Sequence, residues 1–85
     1  MVFTPHAISE ARRRGISEAT LLQVATTPGQ RIQVAAHREI RQSRLVDPTS
    51  GKLHLVRVVV EMEQGVETVV TVYRTSKVAK YWRSE

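Results

Sequence analysis

The sequence predicts an α+β domain: two N-terminal helices packed on one face of a four-stranded antiparallel sheet, followed by a short C-terminal helix or tail. Three observations carry that expectation. Residues 1–27 hold two capped segments with helical apolar spacing, one closed by Gly and the other by Pro. From Gln30 the period shortens to two, and the segments fill with Val and Thr. The stretches LHLVRVVVEM and VETVVTVYRT flank a short EQG link, the pattern of a hairpin.

In order along the chain, Thr4 caps the first helix and Pro5 occupies its first position, where the missing N–H costs nothing. Ala7, Ile8 and Ala11 form its apolar stripe. Gly15 stops it in the left-handed conformation, with Ile16 folding back onto Ala11. Ser17 caps the second helix, whose expected buried residues are Leu21, Leu22, Val24 and Ala25, and TTPG ends it. The helices are placed at about 5–14 and 18–27. The strands follow at about 30–36, 39–46, 53–62 and 66–75, with a tail over 76–85. The two early strands are polar, so one belongs at a sheet edge. All of residues 1–85 form one small domain.

The EQG link at 63–65, read as a three-residue loop with Gly last, sets a register. Met62 then faces Val66, Val60 faces Thr68, Val58 faces Val70 and Val56 faces Val72, an apolar set that covers the helices. The other face pairs Arg57 with Thr71, Leu55 with Tyr73 and Val59 with Val69. Arg57, Thr71 and Tyr73 therefore share the face away from the helices. They read either as a shallow binding surface or as cross-strand pairs that stabilise a half-exposed sheet.

Thirteen Lys and Arg against eight Asp and Glu leave a net charge of +5, which favours anionic partners (RNA, DNA or an acidic protein) or serves solubility alone. The chain has no Cys, excluding thiolate and disulfide chemistry and suggesting a cytoplasmic home. His6, His37 and His54 lack metal-ligand spacing, so neither metal nor cofactor is expected. No apolar run is long enough for a membrane span. So small a core suits a monomer or a homodimer. His6 lies in the first helical turn, with Glu10 and Arg14 at four-residue steps on the same face. It is a candidate general base or a simple boundary His.

The opening TPHAISEARRRGIS resembles the domain-of-unknown-function 4258 family, and so do LVRVVVEM and VVTVYRTSKVAKYWR near the end. The resemblance covers nearly the whole chain and is weakest over 30–50. That family is grouped with RelE-like and barnase-like ribonuclease folds, many of them toxins of toxin–antitoxin pairs. The resemblance thus implies an RNA-directed protein, with a small acidic antitoxin-like partner. Carried over by matching motif are His6 and Arg14 from the opening, Arg57, Thr71 and Tyr73 from the strands, and Lys77, Lys80, Tyr81 and Trp82 from the ending.

Two readings follow. In a metal-independent ribonuclease, His6, Arg57, Thr71 and Tyr73 form the catalytic set. His6 takes the 2′-hydroxyl proton, Arg57 holds the phosphate, and Tyr73 and Thr71 position the sugar and phosphate. Arg14, Arg74, Lys77 and Lys80 follow the backbone, while Tyr81 and Trp82 stack on bases. In a non-catalytic RNA- or protein-binding module, the same cations and rings bind without reaction.

Overall fold

The computed structural model describes residues 1–84; Glu85, the last residue of the expected tail, lies outside the described residues. The chain runs β1 (Val2–Phe3), α1 (Pro5–Arg13), α2 (Glu18–Thr26), β2 (Gln30–Ala35), β3 (Arg38–Val46), β4 (Leu53–Glu63), β5 (Val66–Thr75) and α3 (Val78–Tyr81). The helix signals act through specific bonds. The Thr4 hydroxyl accepts the Ala7 N–H at 3.1 Å, and the Ser17 hydroxyl accepts the Thr20 N–H at 3.1 Å. Gly15 has φ 68°, and the Ile16 N–H donates to the Ala11 carbonyl at 2.8 Å. With the Gly15 N–H donating to the Arg12 carbonyl, this is a Schellman ending.

The sheet departs from the expected four antiparallel strands. It has five, in the order β1-β5-β4-β3-β2, and it is mixed, because β1 runs parallel to β5. Val2 and Phe3 are too few to show any alternation in the sequence. They are held by pairing with Thr68 and Val69, and the Thr4 N–H donates to the Val69 carbonyl at 3.1 Å just before α1 departs. The helices are also arranged differently. α1 lies against β5, and α2 against β3 and β4, whereas the third helix, α3, packs near β4 beside the outward-facing Arg57. Helical structure therefore touches both faces of the sheet.

The β4–β5 register is corrected too. The turn contains only two central residues, Gln64 and Gly65, both with positive φ (51° and 78°), the pattern of a type I′ turn. Glu63 pairs with Val66, Met62 with Glu67 and Val60 with Val69. A register shift then leaves Val70 extra, so that Val59 pairs with Thr71, Val58 with Val72 and Arg57 with Tyr73. The bulge has a clear packing consequence. It lets both Val69 and Val72 point toward the helices, where each is fully buried, and spares Thr68 an inward position.

The core joins Ala7, Ala11, Leu21, Val24 and Ala25 of the helices to Val56, Val58, Val60, Val69 and Val72 of the sheet. Each buried Val or Leu side chain contributes about 1.5–3 kcal/mol. Leu22, expected to be buried, is half exposed instead, because α2 turns Leu21, Val24 and Ala25 inward.

β3 is an interior strand and carries an unexpected charge into the helix side. Arg41 is only 3% exposed. Its Nη1 donates to the Ala25 carbonyl at 2.6 Å, near the end of α2, and its Nε to Glu39 at 2.6 Å; its Nη2 pairs with Glu67. Arg31 on the edge strand β2 adds a bond to Glu39 at 2.7 Å. Burial pushes the Glu39 carboxyl up, but the hydrogen bonds from Arg41 and Arg31 outweigh it and hold the group below its ordinary range. Glu67 is lowered chiefly by its bond from Arg41, against a smaller effect of burial.

Candidate functional site

On the face away from α1 and α2, one row of polar side chains crosses four strands. The register places Gln30 beside Gln42, Gln42 beside Arg57 and Arg57 beside Tyr73. The side chains bond in the same sequence. Gln42 Nε2 donates to Gln30 Oε1 at 2.8 Å, Arg57 Nε donates to Gln42 Oε1 at 2.9 Å, and Arg57 Nη1 donates to the Tyr73 hydroxyl.

Residues 76–84 fold back over this row as a strap. The Tyr81 carbonyl accepts from Gln42 Nε2 at 3.1 Å. Gln30 clasps the backbone of Arg83 from both sides, donating to its carbonyl at 2.6 Å and accepting its N–H at 3.1 Å. The Arg57 guanidinium lies 4.3 Å from the Tyr81 ring centre, and Arg44 lies 4.2 Å from that of Trp82. Trp82 presses so closely on Gly29 that a Cβ there would meet its Cη2 at 3.0 Å, so a side chain at this position needs the Trp82 ring to give way by a few tenths of an ångström.

The structure therefore brings Arg57, Tyr73, Tyr81 and Trp82 onto one face. Thr71 shares that face, half-buried and opposite Val59. Lys77 and Lys80 are exposed on the strap. His6 is exposed on α1, on the far side of the sheet, and does not join the row. Arg14, at the end of the same helix, donates from Nε to Glu10 at 3.1 Å. Glu10 also binds Arg13 at 2.8 Å, and that bond, more than the one from Arg14, holds its carboxyl below the ordinary range. Arg74 stands opposite Val56 and so belongs to the helix side.

Sequence reasoning missed Gln30, Gln42, Arg44 and Arg83. Gln30 and Gln42 had a readable signal: each stands two residues from an Ile on its strand, Ile32 on β2 and Ile40 on β3, and so shares that residue's face; in the fold Gln42 is fully buried. An amide at such a position needs partners, and here they are one another, Arg57 and the strap backbone.

Charge is segregated along the chain. Among the described residues, the ion-paired cations are Arg12, Arg13, Arg14, Arg31, Arg38 and Arg41. Arg44, Lys52, Arg57, Arg74, Lys77, Lys80 and Arg83 make no such pair there. All of these unpaired cations lie in the second half of the chain. No cluster of three or more His, Cys, Asp or Glu able to hold a metal occurs among the described residues. No helix among them is long and apolar enough to cross a membrane.

The family described as Domain of unknown function (DUF4258) matches residues 3–74, most of the chain. The chain belongs to that family. The DUF4258 match takes in the first four members of the polar row, from Gln30 to Tyr73, and ends at Arg74, so the strap lies beyond it. No curated protein and no solved structure matches the chain.

Proposed function

We propose that this DUF4258 chain is a cytoplasmic RNA-binding protein that uses the outer sheet face and the strap. One observation carries the reading: Arg57 is a buried guanidinium, 7% exposed, whose contacts among the described residues are all neutral. A buried cation without a carboxylate is costly and favours an anion nearby. Lys77, Lys80 and Arg83 on the strap and Arg44 beside Trp82 add further charge unpaired among the described residues, and Tyr81 and Trp82 bring rings to the same face, each now stacked on an Arg that a base would displace. Single-stranded RNA supplies both the phosphates and the bases that such a surface selects. The RelE-like or barnase-like grouping implied by the sequence resemblance agrees with an RNA target, and a small acidic antitoxin-like protein would compete for the same charges.

A second reading, metal-independent cleavage, is favoured by the Arg57–Tyr73 contact. A guanidinium can neutralise the phosphate as the 2′-oxygen attacks, its proton passing to solvent water, and a phenol can give its proton to the departing 5′-oxygen and regain one from solvent. His6, across the sheet, is outside this pair, and a phosphate reaches Arg57 only if Tyr81 lifts away.

The experiment is incubation of labelled single-stranded RNA with the protein in EDTA, read by anisotropy and by gel. Binding should weaken with salt, and the double variant Lys77→Gln/Lys80→Gln should flatten the log–log salt slope by about 1.4. Binding indifferent to these changes would exclude the surface. Cleavage abolished by Tyr73→Phe, with binding retained, would establish the second reading; intact RNA throughout would leave binding alone.

A further inference from the structure

At the end of the sheet where β3 turns into β4, a cleft of about 490 Å³ opens on the helix side, the size of a small-ligand site. Ile16, Leu45 and Val56 give it an apolar wall. Arg74, His54 and Asp47 line it too, and all three also line an adjoining cleft of about 250 Å³ that adds Lys52.

Each polar group has an unspent capacity. Arg74 is exposed and makes no ion pair among the described residues; a Cβ on Gly15 would lie 3.8 Å from its Nη2, so the guanidinium reaches the α1–α2 turn. The Nδ1 of His54 is buried and has no hydrogen-bond partner among the described residues. An unpartnered buried nitrogen of this kind calls for a specific explanation. Asp47 Oδ1 accepts the Thr49 N–H at 2.9 Å. That backbone bond, the Ser50 bonds and the charge of Arg74 together outweigh burial and hold the carboxyl below its ordinary range.

We propose that this cleft binds a nucleoside monophosphate. Arg74, supported by Lys52, fits the phosphate as a charge-assisted donor. The Asp47 carboxylate fits a ribose hydroxyl, which a bare anion lacks. The apolar wall, with His54 beside it, fits the base. Arg57 lies on the opposite face of the sheet, so the assignment does not depend on RNA binding there. The same chemistry is offered by a free mononucleotide or by the phosphorylated end of an RNA.

The test is an amide and imidazole NMR titration of the full chain with adenosine 5′-monophosphate, adenosine and inorganic phosphate. The monophosphate should shift Gly15, Thr49 and the His54 ring saturably. Arg74→Gln should weaken it about tenfold, the loss of one charge-assisted contact. Adenosine and phosphate alone should each bind at least about tenfold more weakly. Lys80→Gln should leave this titration unchanged even where it impairs RNA binding, which separates the two proposals. Competition by a 5′-phosphorylated oligoribonucleotide, but not by its unphosphorylated twin, would assign the site to RNA ends; competition by neither would assign it to free mononucleotide. No saturable shift up to about 10 mM overturns the proposal. So does an unchanged response in Arg74→Gln, or inorganic phosphate binding as tightly as the nucleotide.

Discussion

The two faces of the sheet each bury an arginine, and they treat it in opposite ways. On the helix side, Arg41 meets two carboxylates, Glu39 and Glu67, and the Ala25 carbonyl. On the outer side, Arg57 meets an amide oxygen, a phenol and an aromatic ring. The first charge is neutralised inside the fold. The second is hydrogen-bonded but not neutralised. Arg41 therefore acts as a structural tie between α2, β3 and β5, while Arg57 meets no carboxylate among the described residues.

The largest effect should come from Arg41→Met. It leaves Glu39 and Glu67 with only Arg31, which bonds Glu39 and lies 4.0 Å from Glu67, and should cost about 2–3 kcal/mol, measured by urea unfolding. A domain this size loses roughly 4–8 °C of Tm per kcal/mol, so the variant should melt far below the parent. An effect no larger than that of Arg57→Met would break the comparison.

Acid should act on the helix side in the same sense. The carboxyls of Glu39 and Glu67 are lowered in the folded protein. The stability they contribute is present above the unfolded value, about 4.3, and is lost as pH falls through their folded values. Unfolding midpoints should fall below about pH 4.3, and Arg41→Met should flatten that decline. A parallel decline in parent and variant would place the acid sensitivity elsewhere.

Arg57→Met should cost less, about 1–2 kcal/mol, because it strands only the neutral Gln42 oxygen and Tyr73 hydroxyl. Its larger consequence should be weaker RNA binding. Trp82→Ala should be the mildest, removing a cation–π contact of about 0.5–1 kcal/mol with Arg44 and some packing on Gly29. Limited trypsin digestion should then cut faster at Lys77 and Lys80, while the Tm moves by only a few degrees. Strap cleavage unchanged in this variant would show that the Gln30 and Gln42 bonds alone hold it.

Local signals were legible where a residue's own chemistry decides the outcome. Thr4 and Ser17 cap, Gly15 turns left-handed, and Val56, Val58 and Val60 alternate inward. Illegible features depended on a partner distant in sequence. Val2 and Phe3 are a strand only because Thr68 and Val69 lie beside them. Gln64 is a poor advertisement for a type I′ turn, and the Val70 bulge leaves no mark in an alternation of Val and Thr. The register read from the link was displaced on both counts. Of the candidate site, Arg57 and Tyr73 do share the outer face, but as direct neighbours, not through Thr71 and Leu55.

The sequence by itself determined where the helices are capped, which β4 residues form an apolar stripe, and that cations exceed acids. Those properties belong to single residues or to short periods. Only the tertiary structure decided which cations are neutralised. Glu39 and Glu67 reach Arg41 because β3, β4 and β5 bring them to the same side of the sheet. No acid reaches Arg57 within the described residues, because its row is filled by Gln30, Gln42, Tyr73 and the returning strap. Charge is written in the composition; its compensation depends on distances of a few ångströms between residues far apart in the chain.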